Sequence, residues 1–149
     1  MHRSTPSETD TALEVDLALS FAATTSDLVE ALATVEQYAL RRNLDGDRLA
    51  RLKLVMEELV TNADKYGYGG AAAPGAVRIG LHPGPPLELV YEDDATPFDP
   101  VAWHADWLAR DHDAEAVGQR GIAMILGLAA RARYQALPHG NRLVLTFAP

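Results

Sequence analysis

The sequence predicts an α+β fold, a two-layer sandwich in which a mixed β-sheet is covered on one face by helices. Three observations lead there. Several short runs alternate apolar and polar residues, the period of a half-buried strand. Longer segments repeat their apolar residues at helical spacing instead. The runs follow one another as strand, two helices, two strands, a loop, a helix and two strands. That order gathers the helices against one sheet rather than alternating them through it.

Taken in order, residues 1–12 are expected to form a disordered tail, being too polar to offset the entropy of ordering. A single domain then fills residues 13–149. Leu13 to Phe21 alternates as a strand. Thr25 or Ser26 can cap a helix carrying Leu28, Ala31, Leu32, Val35 and Ala39 on one stripe. Asn43 to Gly46 breaks it, and a second helix from about Asp47 aligns Leu49, Leu52, Met56, Leu59 and Ala63. Gly67 to Gly75 is a loop. Ala76 to Leu81 and Leu87 to Glu92 are strands around a Pro-Gly-Pro-Pro turn. Asp93 to Gln119 is expected to be irregular, Arg120 to Ala132 helical, and Tyr134 to Ala136 and Arg142 to Phe147 the closing strands.

Composition narrows the function. The chain has 149 residues, 48% of them hydrophobic, enough for one core. A net charge of −8 argues against a nucleic-acid binder, which needs clustered Lys and Arg. There is no cysteine, so disulfides, thiolate metal sites and cysteine nucleophiles are excluded. The five histidines show no ligand spacing. No apolar run suits a signal peptide or a membrane span, so a cytoplasmic protein without membrane partners is expected. Only Lys53 and Lys65 are lysines among the basic residues.

Three segments carry chemistry. The second helix bears Glu58, Asn62 and Lys65, which at ~100° per residue fall within about 60° of one another, beside the apolar stripe. A carboxylate, an amide oxygen and an ammonium at the edge of a buried face can act as base, magnesium ligand and phosphate partner. A solvated helix flank would look the same. Next, a strand ends in Glu92-Asp93-Asp94 and turns at once through Ala95-Thr-Pro-Phe98-Asp-Pro100. An aspartate displayed there can accept from an exocyclic amine such as that of adenine, though an acidic turn needs no function. Last, Gly118 and Gly121 open a helix whose free N–H groups favour phosphate oxygens. Without a following Gly-Lys-Ser/Thr this is not a P-loop.

The order of these segments, ending in Gly140-Asn141 before the last strand, resembles the Bergerat-fold (GHKL) ATPases. It is most similar to the small anti-sigma-factor serine/threonine kinases of bacterial partner-switching systems, in the segments Glu57 to Tyr68, Asp93 to Pro100 and Gly118 to Ile122. The resemblance implies a histidine-kinase-like ATP-binding domain with ATP and Mg2+ as cofactors. By that resemblance Asn62 holds the magnesium, Glu58 is the general base, Lys65 approaches phosphate and Asp93 reads the adenine amine. Ala95, Phe98 and Ile122 fall in the nucleotide-binding segments, and Gly118 and Gly121 flank a short lid. The implied partners are a sigma factor, sequestered as a means of transcription regulation, and a STAS-domain anti-anti-sigma protein, phosphorylated on serine. Relatives of this kind commonly dimerise, so a homodimer is a candidate state.

The chain departs from the family pattern at three places. Ala95 stands where a glycine is usual and disfavours positive φ, Gln119 replaces a second glycine, and Val144 stands where a threonine is frequent. The alternative function is therefore a degenerate binding module without significant kinase activity. A histidine-kinase catalytic domain would call for a preceding heptad segment with a phospho-accepting histidine, which is not expected here.

Overall fold

Each of the first three helices begins at a side chain that accepts from its freed backbone donors. The computed structural model describes residues 15–69, 73–109 and 117–149, the side chains of 117–120 excepted. The expected tail, residues 1–12, and the start of the expected first strand lie outside the described residues. β1 spans Leu17–Ala22. Thr24 then caps α1 (Thr25–Arg42), its hydroxyl accepting from the Asp27 N–H at 3.2 Å. Asn43 ends α1 in the left-handed conformation, φ 55°. Asp45 caps α2 (Gly46–Asn62) through the Arg48 N–H at 2.8 Å. α2 runs straight into a π-helical turn, Ala63–Gly67.

β2 (Ala76–His82) and β3 (Glu88–Asp93) follow. Asp99 then caps α3 (Pro100–Leu108), its Oδ1 accepting from the Val101 and Ala102 N–H groups at 2.9 and 3.0 Å. This helix lies within the stretch expected to be irregular. Its signal was present, an aspartate cap followed by proline at the first helical position. α4 covers Val117–Leu128, starting and ending earlier than expected. β4 (Arg131–Leu137) is correspondingly longer and pairs with β5 (Gly140–Thr146) along its length. Alanine near position 130 reads as helix by propensity, but pairing with β5 and the alternation of Arg131, Ala132, Arg133 and Tyr134 decide for strand.

The five strands form one sheet in the order β1-β2-β3-β5-β4. Every pairing is antiparallel, so the sheet is not mixed as expected. The short link between α1 and α2 makes them a helical hairpin. The hairpin returns the chain to the end where β1 stopped, and β2 must run back beside it.

One face of the sheet meets the helices. Ile79, Leu81, Leu89, Leu143, Leu145 and Phe147 pack against Val35, Leu52, Val55, Met56 and Ile125, all nearly inaccessible to water. Burial of each such side chain contributes about 1.5–3 kcal/mol. On the other face Arg78, Glu92, Arg142 and Gln135 sit opposite one another across β2, β3, β5 and β4. Arg142 Nε donates to Glu92 Oε2 at 2.6 Å and its Nη1 to Gln135 Oε1 at 2.9 Å, while Glu92 Oε1 accepts from Arg78 Nε at 3.2 Å, so the buried pair is tied into a wider network. Among the described residues no helix is long and apolar enough to cross a membrane.

Candidate functional site

At the end of the sheet where β3 stops and β5 starts, the helix layer and the sheet part. A cleft of about 480 Å³ opens there, a volume suited to a small ligand. Asn62, Ala63, Tyr66 and Gly67 line one wall, Tyr91, Asp93, Tyr134 and Asn141 the floor, and Ala95 to Phe98 with Ile122 the rim.

Asp93 is the last residue of β3 and is 6% exposed. Its Oδ1 accepts from the Ala95 N–H at 3.1 Å and from Asn141 Nδ2 at 2.8 Å. Its Oδ2 accepts from the Tyr91 hydroxyl at 2.7 Å. A carboxylate oxygen can take two donors, so Oδ2 keeps acceptor capacity toward the cleft. Burial, reinforced by the Asp93 charge and hydrogen bond, pushes the Tyr91 phenol well above its ordinary range. Tyr91 therefore stays protonated and remains a donor to Asp93. Gly140 is required beside this point. It has φ +154°, and a Cβ there would run into the Asp93 carbonyl.

The α2 wall brings Glu58 and Asn62 together, and α4 crosses them at Gly121. A Cβ at Gly121 would overlap Glu58 Oε2 and lie 3.5 Å from Asn62 Nδ2. Gly121 thus serves close packing of α4 on the polar edge of α2. Gly118 falls in the first turn of the same helix. Asn62 Nδ2 is buried without a hydrogen-bond partner. An orphaned donor in a cleft wall costs about 1–3 kcal/mol until an acceptor-rich ligand satisfies it. The amide oxygen beside it is a hard neutral donor of the kind magnesium takes while keeping phosphate oxygens and water as its other ligands.

Lys65 does not join this pair. It is exposed and stands in the π-helical turn, where the wider winding carries it away from the arc that uniform α-helical spacing gives. Phe98 and Ile122 both line the cleft, Phe98 with 44% of its surface open. Ala95 is 6% exposed, and a Cβ placed on Gly67 would sit 3.0 Å from its own Cβ. Asn43 is the one described non-glycine residue with positive φ, so Ala95 carries none of the strain expected of it. The side chain of Gln119 is not described.

The sequence pattern placed Asn141 at the end of the motif series without giving it a role. It is the centre of the cleft floor, joined to Asp93, Thr96, Phe98 and Tyr134. Tyr68 also contributes, its hydroxyl donating to the Ala76 carbonyl at 2.7 Å and accepting from the Asp94 N–H at 2.6 Å.

A buried carboxylate at a strand end, facing a helix amide across a cleft of this size, suits a small polar ligand held by an α+β sandwich. The sequence agrees: residues 21–147 match the family of histidine kinase-like ATPase domains, and the chain belongs to that family. Membership implies ATP as the nucleotide. Among solved structures the chain is similar to the RsbU and RsbW domains of Rv1364c from Mycobacterium tuberculosis, at 19% identity and a TM-score of 0.57. The match covers 88% of this chain and 32% of that one, so the chain spans about a third of its neighbour's length, and the likeness is one of fold. No curated protein matches the sequence closely enough to count as a relative.

Proposed function

We propose that the chain is an ATP-dependent anti-sigma factor and protein kinase, which binds a sigma factor and phosphorylates a serine of a STAS-domain anti-anti-sigma protein. One observation carries the nucleotide half: a buried, donor-held Asp93 at the floor of a cleft whose opposite wall presents the orphaned Asn62 amide. The partner half rests on the likeness of Glu57 to Tyr68 and Asp93 to Pro100 to anti-sigma kinases, and on the fold shared with a chain that carries an RsbW domain.

In this reading Asp93 accepts from the adenine amine and Ala95, Phe98 and Ile122 pack around the nucleoside. Asn62 would hold the magnesium, which would supply charge neutralisation at the phosphates, and Lys65 and the first turn of α4 at Gly118 would approach the phosphates; Gly121, inside the helix, serves its packing on α2 instead. The seryl oxygen of the substrate attacks the γ-phosphorus, the bond to the β-phosphate oxygen breaks, and ADP leaves. Glu58 takes the hydroxyl proton. Positioning supplies most of the rate in such a transfer.

A second reading, a binder that has lost its kinase activity, is favoured by Gln119, which stands where a glycine is usual. Labelled ATP, magnesium and a STAS-domain anti-anti-sigma protein distinguish the two. Label on a serine of that protein, lost in Glu58→Gln, supports the kinase. ATP binding without transfer, alongside sigma-factor capture, supports the binder.

A further inference from the structure

The side chain of Asn141 is 8% exposed and reaches in from the second residue of β5. Its Nδ2 donates to Asp93 Oδ1 at 2.8 Å and lies 3.3 Å and 3.2 Å from the Ala95 and Thr96 carbonyls. Its Oδ1 accepts from the Phe98 N–H at 2.8 Å and from the Tyr134 hydroxyl at 2.5 Å. Two amide protons and two oxygen lone pairs are all the side chain has, and each is engaged. Asn141 has no capacity left for a ligand. Whatever it does in recognition, it does through Asp93 and through the Ala95 to Phe98 segment.

Resting on the reading of the cleft as an adenine-nucleotide site, we propose that Asn141 is the positioning residue for base selection. It ties down Oδ1 of Asp93, so Oδ2 is the oxygen presented to the base. The same amide fixes the turn carrying Ala95 and Phe98 at the matching height. Adenine offers an amine to that oxygen, whereas guanine offers a carbonyl, which a fixed carboxylate repels. A carboxylate free to rotate, or a turn free to retreat, would take in both bases more evenly. Discrimination thus depends on a residue whose own hydrogen bonds are all spent on Asp93, the turn and Tyr134.

The test is titration of the full chain with ATP and with GTP, each with magnesium, in wild type, Asn141→Ala and Asn62→Ala. We expect Asn141→Ala to weaken ATP more than GTP and to narrow the ATP-to-GTP preference by about tenfold, the scale of one lost buried hydrogen-bond partner. Asn62→Ala should weaken both nucleotides and leave the preference as it was. A folded Asn141→Ala protein with the wild-type preference overturns the proposal, since a merely structural role lowers stability without moving that ratio. Wild type with no ATP binding, or with no preference for ATP, overturns the reading of the site and the proposal with it. A second measurement needs no variant, because the Asn141 side-chain amide protons should exchange slowly in nucleotide-free protein. Exchange at the rate of an exposed asparagine shows that the clamp is not built in, and refutes the proposal even where Asn141→Ala does not fold.

Discussion

Burying a carboxylate costs several kcal/mol unless donors replace its water. At Asp93 the Tyr91 hydroxyl, the Ala95 N–H and the Asn141 amide do so before any ligand arrives. The carboxylate is thereby fixed in place. Ala95 belongs to the same arrangement and is not damage to it, because its φ is not positive and its Cβ faces the space left by Gly67. Ala95→Gly should therefore leave ATP affinity within about threefold and reduce stability by roughly 0.4–1 kcal/mol through chain entropy. Calorimetric titration with a thermal melt checks both, and a tenfold tightening would mean that the methyl group obstructs the purine. Glu58 is expected to act on chemistry alone. Glu58→Gln should keep ATP affinity within a few-fold yet slow transfer to the STAS-domain protein by roughly 10²–10⁴. Transfer at the wild-type rate would remove Glu58 from the role of base.

The α2–α4 crossing shows what an element contributes. Gly121 lets α4 lie directly on Glu58 and Asn62, so in Gly121→Ala the Glu58 carboxylate must swing aside. We expect a loss of only about 1 kcal/mol in denaturant titration, with a fall in nucleotide affinity. Lower stability with unchanged affinity would show that the crossing serves the core alone. The strongly periodic elements, α1, α2 and the central strands, were legible because burial of one face imposes its period on the sequence. So were Glu58 and Asn62, four residues apart on one helix. Lys65 stands in the π-helical turn that begins after Asn62, a widening that residue spacing cannot register. α3 was overlooked although Asp99 and Pro100 announce it. Asn141 ended the motif series without a role, since its partner Asp93 lies 48 residues earlier and only the pairing of β3 with β5 brings them together.

At the scale of the molecule, the helix layer and the sheet are joined at the end of β1 away from the cleft by Tyr38, whose hydroxyl donates to Asp16 Oδ2 at 3.0 Å. Burial, then the hydrogen bond to Asp16 and its charge, raise this phenol from 10.0 to about 12. The folded value lies above the unfolded one, so the contribution is complete below pH 10 and is lost as pH rises toward about 12. On the order of 3 kcal/mol should disappear over that window, and Tyr38→Phe should flatten the slope in alkaline melts. The raised Tyr91 phenol adds to the loss in the same direction. These tests concern the frame, whereas the central claim is that the cleft between Asn62 and Asp93 holds ATP with magnesium. Isothermal titration of ATP, with magnesium and with chelator, into wild type, Asn62→Ala and Asp93→Asn addresses it directly. Wild type should bind ATP in a magnesium-dependent way, Asn62→Ala should lose the magnesium dependence, and Asp93→Asn should lose the preference for adenine. Binding that survives both substitutions unchanged, or no binding in wild type, would contradict it.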